Sequence, residues 1–225
     1  MTLIAIFRGK RHGMQQNEPA PMASDDRQLL ELAQGGDQAA WESLVARHRE
    51  KLRRMIDFRL HPQLQGRVDA SDVVQETFIE AARVLTPERH NPDLPVHLWL
   101  RRLAKQKLIQ AHREHLQAEC RTVGREQRAI PQAQVSSFSI ARYLVGDFTS
   151  PSHALLRSEK RQALQAALEQ LDALDREVLV LRHFEQLSGP ESAEILGISH
   201  DAVKKRYVRA LEKLQRIMVQ VGMNE

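Results

Sequence analysis

Residues 188–218, SGPESAEILGISHDAVKKRYVRALEKLQRIM, decide the fold of the C-terminal part of this chain. Ser188 and Glu191 have the spacing of a capping box, which starts a helix by pairing side chains with free backbone amides. That helix is short, because Gly197 suits the left-handed residue that follows a helix end. Ser199 can then cap a longer helix. Two helices joined by a tight turn predict a helix-turn-helix, whose second helix enters the major groove of DNA.

The longer helix carries its apolar and basic side chains on different faces. An apolar stripe at three- and four-residue spacing consists of Val203, Tyr207, Leu211, Leu214 and Met218. The side chains expected to contact DNA are Lys204, Lys205, Val208 and Arg209, flanked by Arg206 and Lys213. Residues 200–218 contain six Lys or Arg and two acidic residues, so positive charge is concentrated where phosphates would lie.

The rest of the chain is also predicted to be helical. Two helical units, residues 25–118 and 155–221, flank residues 119–154, where Gly, Ser and Pro interrupt any long periodicity. Residues 1–24 lack periodicity and are expected to be a disordered leader or the product of an over-called start codon. The expected fold is therefore all-α: two small helical domains joined by a flexible linker, the C-terminal one a helix-turn-helix.

Capping residues predict where the other helices begin. Asp37 is expected to cap a helix that ends at His61-Pro62, and Asp69 or Ser71 is expected to start the next one. A third helix is expected from about Val96 to Leu116, with Trp99 in its core. In the second unit, Asp175 is expected to cap the helix that carries Val178, Leu179, Leu181 and Phe184.

Composition and motifs exclude several functional classes. Hydrophobic residues make up 42% of the chain and aromatic residues only 4%, which favours helices over a sandwich or barrel. The single cysteine, Cys120, excludes an internal disulfide, and a reduced, cytoplasmic setting is expected. No apolar run is long enough to span a bilayer. A P-loop, an HExxH motif and a nucleophile elbow are all absent, so we expect no enzyme. His112, His115 and Cys120 are the nearest approach to a metal cluster, and neither a metal nor a cofactor is expected.

Two further segments resemble a known family. Residues 69–79, DASDVVQETFI, and residues 175–214, DREVLVLRHFEQLSGPESAEILGISHDAVKKRYVRALEKL, resemble regions two and four of the sigma-70 family of RNA polymerase sigma factors, particularly its extracytoplasmic-function group. In that family the region-two helix docks on the clamp helices of the largest polymerase subunit. The resemblance implies that Val73, Val74 and Phe78 face inward. It implies that the polymerase is contacted by Asp69, Asp72, Gln75 and Glu76.

Residues 94–116, LPVHLWLRRLAKQKLIQAHREHL, resemble the promoter-melting part of region two, with Trp99-Leu100 at the family's Trp-Leu position. Two positions depart from the family, because Gln106 stands where Asn is usual and Gln110 where Asp is common. Residues 101–128 hold eight basic and three acidic residues, which suits a surface that follows single-stranded DNA. The resemblance implies that the minus-10 element is contacted by Arg101, Arg102, Lys105, Gln106 and Arg113.

The resemblance implies a sigma factor that directs core RNA polymerase to promoters and aids their melting. Residues 86–95 would be the loop that captures an unstacked base. The implied partners are the clamp helices and flap of the polymerase, promoter DNA and a possible anti-sigma factor, with no membrane. From the residues alone, a stand-alone helix-turn-helix regulator explains residues 175–218 equally well but leaves residues 69–79 unexplained.

Overall fold

The computed structural model describes residues 22–60, 64, 66–85, 94–122, 137–145 and 154–220. Over these ranges the regular elements are all helices, which confirms the all-α prediction. Contacts divide the chain into two compact units that meet in sequence between Ala133 and Gln134. The first unit contains α1 (Met22–Gln34), α2 (Gln38–Arg59), α3 (Ala70–Arg83) and α4 (Val96–Thr122). The second contains α5 (Ser137–Val145), α6 (Ala154–Glu169), α7 (Ala173–Leu179), a π-helical turn (Val180–Phe184), α8 (Gly189–Leu196) and α9 (His200–Gln220).

Aspartate caps start two helices of the first unit where the sequence predicts them. The Asp37 carboxylate accepts hydrogen bonds from the backbone amides of Ala39 and Ala40, at 2.9 and 3.1 Å. Asp69, rather than Ser71, is the cap of α3, and its carboxylate accepts from the Ser71 amide at 2.7 Å. Each cap satisfies amides that have no partner inside the helix.

The core of the first unit is formed where α2, α3 and α4 bring their apolar faces together. Its most deeply buried side chains include Leu44, Ile56, Val74, Leu100 and Leu108. Trp41 and Phe78 meet edge to face, with ring centroids 6.1 Å apart, a favoured geometry for aromatic pairs. Trp99 is 7% exposed, so the expectation that it lies in the core is confirmed.

A buried polar pair joins α1 to α2. Asp26 is 6% exposed and His48 is 4% exposed, and their Oδ2 and Nε2 atoms lie 3.0 Å apart. The other Asp26 oxygen accepts a hydrogen bond from Arg47 at 3.1 Å. Burial disfavours the imidazolium and lowers the pKa of His48, and the charges of His97 and Lys51 act in the same direction. The attraction of Asp26 opposes this shift and does not reverse it.

The first unit should therefore lose stability as the pH falls below about 6.5, the ordinary pKa of histidine. Unfolded chains take up the proton there, whereas the folded state keeps His48 neutral until a lower pH. His48→Gln removes the titrating group, so its unfolding free energy should depend less steeply on pH between neutral and mildly acidic conditions. Both tryptophans of the chain, Trp41 and Trp99, lie in this unit, so tryptophan fluorescence during urea unfolding measures it. His200→Gln, at an exposed position of the second unit, should keep the wild-type profile; an equal profile for His48→Gln would contradict the expectation.

The second unit begins earlier than the sequence predicts. Residues 137–145, assigned to the linker, form α5, which packs against α6. Ile140 and Ala141 are completely or almost completely buried in the core of this unit beside Leu164 and Leu168. A nine-residue helix is too short to show a clear periodicity, and the Gly, Ser and Pro residues that surround it in sequence indicate a linker. Residues 1–21, 123–136 and 146–153, which include most of the predicted leader and linker, lie outside the described residues.

The start of α7 differs from the prediction in one position. Asp172, not Asp175, is its cap, and its carboxylate accepts a hydrogen bond from the Leu174 amide at 2.8 Å. Asp175 lies in the first turn with no solvent exposure. At the other end, α7 runs into a π-helical turn, closed by a 2.9 Å hydrogen bond from the Glu185 amide to the Val180 carbonyl. Single π-helical turns inside α-helices are rare and frequently lie at functional sites.

The helix-turn-helix is present as predicted. Ser188 and Glu191 form both halves of the capping box at the start of α8. Gly197 ends α8 in the left-handed conformation, with φ of 64°, which is costly for residues with a Cβ atom. Ser199 then accepts a hydrogen bond from the Ala202 amide at 3.2 Å. A small apolar cluster of Val178, Ala193 and Val203 holds α7, α8 and α9 together, with Ile198 packed against it.

Removing the Ser188 hydroxyl should weaken α8. Ser188→Ala leaves the Glu191 amide without its capping partner, and such losses cost about 1 kcal/mol. Native-state hydrogen exchange of the α8 amides should show that loss of protection. Ser158→Ala, at an exposed position inside α6, removes a hydroxyl that caps no helix and should leave α8 unchanged. Equal protection of α8 in the two variants would show that the capping box does not support it.

Candidate nucleic-acid and protein interfaces

The apolar stripe of α9 faces the core as predicted. Val203 and Leu214 are buried, and Tyr207 and Leu211 are half-buried. Two small or aliphatic residues that the sequence analysis did not include, Ala210 and Ile217, are also buried; the Met218 side chain lies outside the described residues. Lys204, Lys205, Val208 and Arg209 are exposed. The predicted separation of an apolar and a basic face is therefore confirmed for the described side chains.

The start of α9 presents an accessible basic surface. The Lys204 side chain is 52% exposed and its ammonium lies 4.0 Å from the carboxylate of Asp201, a long and screened ion pair. Lys205 is exposed on the next position, and Val208 is 46% exposed one turn later. This combination of two ammonium groups and an apolar side chain suits phosphate oxygens and a thymine methyl group.

Three of the six side chains predicted to contact DNA meet at a single buried carboxylate. Arg206 Nη1 and Arg209 Nη2 donate to Asp175 Oδ1 at 2.9 and 3.0 Å. The ammonium of Lys213 lies 3.6 Å from Asp175 Oδ2. Burial opposes ionisation of Asp175, but the hydrogen bonds from Arg209 and Arg206 and the charges of Arg209 and Lys213 outweigh it, so the pKa of Asp175 is lowered.

A second set of contacts fixes α9 from the side of the π-helical turn. The Tyr207 hydroxyl and His183 Nε2 are 2.6 Å apart, and the two rings are stacked at a tilt. The guanidinium of Arg182 lies 5.8 Å from the centre of the Tyr207 ring and also donates to the Leu187 carbonyl. Since Leu187 precedes the cap of α8, these contacts join both helices of the motif to the preceding helix.

On the first unit, α3 has an acidic and polar outer face. Asp69, Asp72, Gln75 and Glu76 are all exposed, whereas Val73, Val74 and Phe78 are buried. This is the division that the sequence predicts. Asp69 also caps the helix, so its carboxylate is partly occupied. Ile79, which the sequence analysis did not single out, is 48% exposed one turn after Gln75 and Glu76, and adds an apolar side chain to the same face.

Along α4, four of the five predicted contacts are exposed: Arg102, Lys105, Gln106 and Arg113. Arg101 differs, because its side chain is only 7% exposed. It lies three residues before Ala104 and seven before Leu108, both fully buried, so helical spacing places it on the inner face. Lys107 is also engaged, with its ammonium 3.4 Å from Glu80 of α3. Residues 86–93 of the predicted base-capturing loop lie outside the described residues.

Of the three candidate metal ligands, His112 is the one whose side chain the structure describes. His112 is 2% exposed, and the side chains of His115 and Cys120 lie outside the described residues. Among the residues that the structure describes, no three His, Cys, Asp or Glu side chains are grouped to hold a metal ion. Within the same part of the chain, no helix has the length and apolar character that a membrane crossing requires.

Comparison with protein families identifies the second unit. The family model described as "Sigma-70, region 4" matches residues 161–214, which extend from α6 into α9 and include α8, the turn and α9 as far as Leu214. The Asp175 site, the π-helical turn and the exposed basic turns of α9 therefore all lie inside the matched region.

Comparison with characterised proteins extends the similarity to the first unit. The RNA polymerase sigma-H factor of Pseudomonas aeruginosa is 31% identical over 193 residues, which are 86% of this chain and 93% of that protein. The sigma factor CnrH of Cupriavidus metallidurans is also 31% identical, over 86% of this chain and 94% of that protein. The ECF RNA polymerase sigma-E factor of Escherichia coli is 30% identical, over 84% and 92%. The solved structure of CnrH in complex with the cytosolic domain of CnrY has a TM-score of 0.52 and 28% identity, and covers 87% of this chain and 98% of that one.

Proposed function

The chain belongs to the extracytoplasmic-function group of the sigma-70 family of RNA polymerase sigma factors, and from that premise we propose how its two units divide the recognition of a promoter. As a sigma factor it binds core RNA polymerase and promoter DNA and directs transcription initiation. The first unit would bind the polymerase and the minus-10 element, and the second would bind the minus-35 element. A stand-alone helix-turn-helix regulator accounts for the second unit only, whereas the sequence similarity spans both.

The observation that carries the minus-35 assignment is the exposed start of α9. Side chains near the N-terminus of the second helix of a helix-turn-helix contact base edges in the major groove. Lys204 and Lys205 would contact guanine acceptors or phosphates, and Val208 would pack on a thymine methyl group. Arg209 would contact DNA through the donors that Asp175 does not use, since a guanidinium has five. Arg206 and Lys213, predicted as phosphate contacts, face Asp175.

Run-off transcription with core polymerase and genomic promoter fragments tests this assignment. Lys204→Ala and Lys205→Ala should each reduce initiation severalfold, because each removes one direct contact with DNA. The fold loss should shrink at higher salt, because salt weakens the phosphate contact that the wild type makes and the variant lacks. Arg216→Ala is the matched control: it removes one exposed charge from the same helix, about 18 Å further along its axis at 1.5 Å per residue.

The expected order is a clear loss for both lysine variants and near wild-type transcription for Arg216→Ala. Wild-type initiation by the lysine variants would remove the role proposed for the start of α9. An equal loss in all three variants would indicate a general dependence on net charge instead of a specific contact surface.

The outer face of α3 is the proposed polymerase surface. Asp72, Gln75 and Glu76 form a polar group around the exposed Ile79. An apolar side chain surrounded by polar groups is typical of a protein interface, in which the apolar residue is desolvated and the rim sets orientation. The clamp helices of the largest polymerase subunit are the proposed partner, and the flap is the proposed partner of the second unit.

Glu76→Arg should weaken the complex with core polymerase by tenfold or more, because it reverses a charge at this surface. Affinity can be measured by fluorescence anisotropy with labelled sigma factor and purified core enzyme. Glu42→Arg makes the same charge change at an exposed position on a different helix, α2, and should bind normally. Equal affinities of the two variants would exclude the outer face of α3 from the interface.

For the minus-10 element we propose Arg102, Lys105, Gln106 and Arg113, the exposed members of the predicted set. Together they place three cations and one amide along α4, a pattern suited to a strand whose bases are unstacked. Arg101 would act inside the first unit because its side chain is buried. Strand separation breaks no covalent bond, so it would need no catalytic residue of this chain. The phosphodiester bonds of the RNA are made by the polymerase.

A regulatory partner is also proposed. CnrH was solved in complex with the cytosolic domain of CnrY, and the similarity to CnrH covers 86% of this chain and 94% of CnrH. A comparable anti-sigma protein would hold this chain until a signal releases it. The cytoplasm is the proposed compartment, because core polymerase and chromosomal DNA are there. No cofactor is proposed.

A further inference from the structure

We propose that Asp175 is a positioning residue for α9, an inference that rests on the proposed minus-35 function. Asp175 would hold the helix through Arg206, Arg209 and Lys213. It would thereby withdraw Arg206 and Lys213 from contact with DNA phosphates. The basic helix would then have two kinds of cation. Lys204 and Lys205 would contact DNA, whereas Arg206 and Lys213 would fix the orientation of the helix. Arg209 would do both, through different donors of its guanidinium.

The positions of these side chains around α9 support such a division. At about 100° per residue, Arg206, Arg209 and Lys213 fall within an arc of about 60°, which faces α7. Lys204 and Val208 fall on the opposite side of the helix. The same rotation of α9 therefore satisfies Asp175 and presents Lys204 to solvent, where its side chain is 52% exposed.

Burial makes the Asp175 contacts hard to give up. Its side chain has no solvent exposure, so an ionised carboxylate there requires cationic partners. Arg206 is only 30% exposed and has a second carboxylate nearby, since its Nη1 lies 3.8 Å from Asp172 as well as 2.9 Å from Asp175. A phosphate would have to compete with two protein carboxylates for this guanidinium. Lys213 is 36% exposed and faces the remaining Asp175 oxygen at 3.6 Å.

The salt dependence of DNA binding distinguishes the two kinds of cation. The slope of log affinity against log salt becomes shallower by about 0.9 for each phosphate that the protein no longer neutralises. Lys204→Gln and Lys213→Gln remove the same charge from the same helix, so they form a matched pair. The full-length protein would be titrated with a short labelled DNA duplex of mixed sequence, over a series of KCl concentrations, and each slope compared with the wild type.

We expect Lys204→Gln to reduce the slope by about 0.9 and Lys213→Gln to leave it unchanged. Asp175→Asn keeps the size of the side chain and removes its charge, so it should release cations and steepen the slope by about 0.9 for each additional phosphate that they neutralise. Circular dichroism would check that this variant keeps its helices; if it does not fold, the lysine pair still decides.

The outcomes separate this inference from the proposed function. A Lys213→Gln slope reduced as much as that of Lys204→Gln would overturn the role of Asp175 and leave the minus-35 assignment standing. An unchanged Lys204→Gln slope would instead remove the minus-35 assignment, and the division of cations that rests on it would fall too. A steeper slope for Asp175→Asn would support the withdrawal of charge, which a purely structural effect on folding would not produce.

Discussion

The second unit depends on one constraint: a carboxylate without solvent exposure must be kept ionised by the protein itself. Asp175 meets it with two hydrogen-bonded guanidinium groups and one ammonium group, all from α9. The partners are supplied at the spacing of successive helical turns, so they can be satisfied together only at one rotation of α9. That rotation also buries Val203 and Leu214. Charge pairing and apolar packing therefore select the same orientation, which leaves Lys204 and Lys205 at the start of the helix exposed.

Local signals in the sequence predict much of this fold. The caps at Asp37 and Asp69, the capping box at Ser188 and the turn at Gly197 depend on residues within a few positions of one another, and all are present. The exposed and buried faces of α3 and α9 follow from helical spacing alone. The segments that resemble known sigma regions add the function, which composition and spacing could not supply. Similarity over most of the length of the relatives then establishes the family.

The features that the sequence does not predict depend on contacts between distant residues. Arg206 is 31 positions from Asp175, so neither residue indicates the other, and a basic residue on a DNA-binding helix is naturally assigned to DNA. Arg101 is charged, which is typical of surface residues, but it lies at helical spacing from buried residues. The packing of the folded unit decides that its side chain is buried. Helix α5 is too short to be recognised by periodicity, although its Ile140 is almost completely buried.

The π-helical turn at Val180–Phe184 has a consequence for how this domain can vary. A π-helical turn holds one residue more than the α-helical turn it replaces, so shortening the chain there by one position could restore regular winding locally. Because the turn absorbs the additional residue locally, the segment that follows can keep its place relative to α7 when that residue is removed. Related chains should therefore tolerate a gap of one residue within this turn better than within α7, where it would rotate the side chains on one side of the gap by about 100° relative to those on the other.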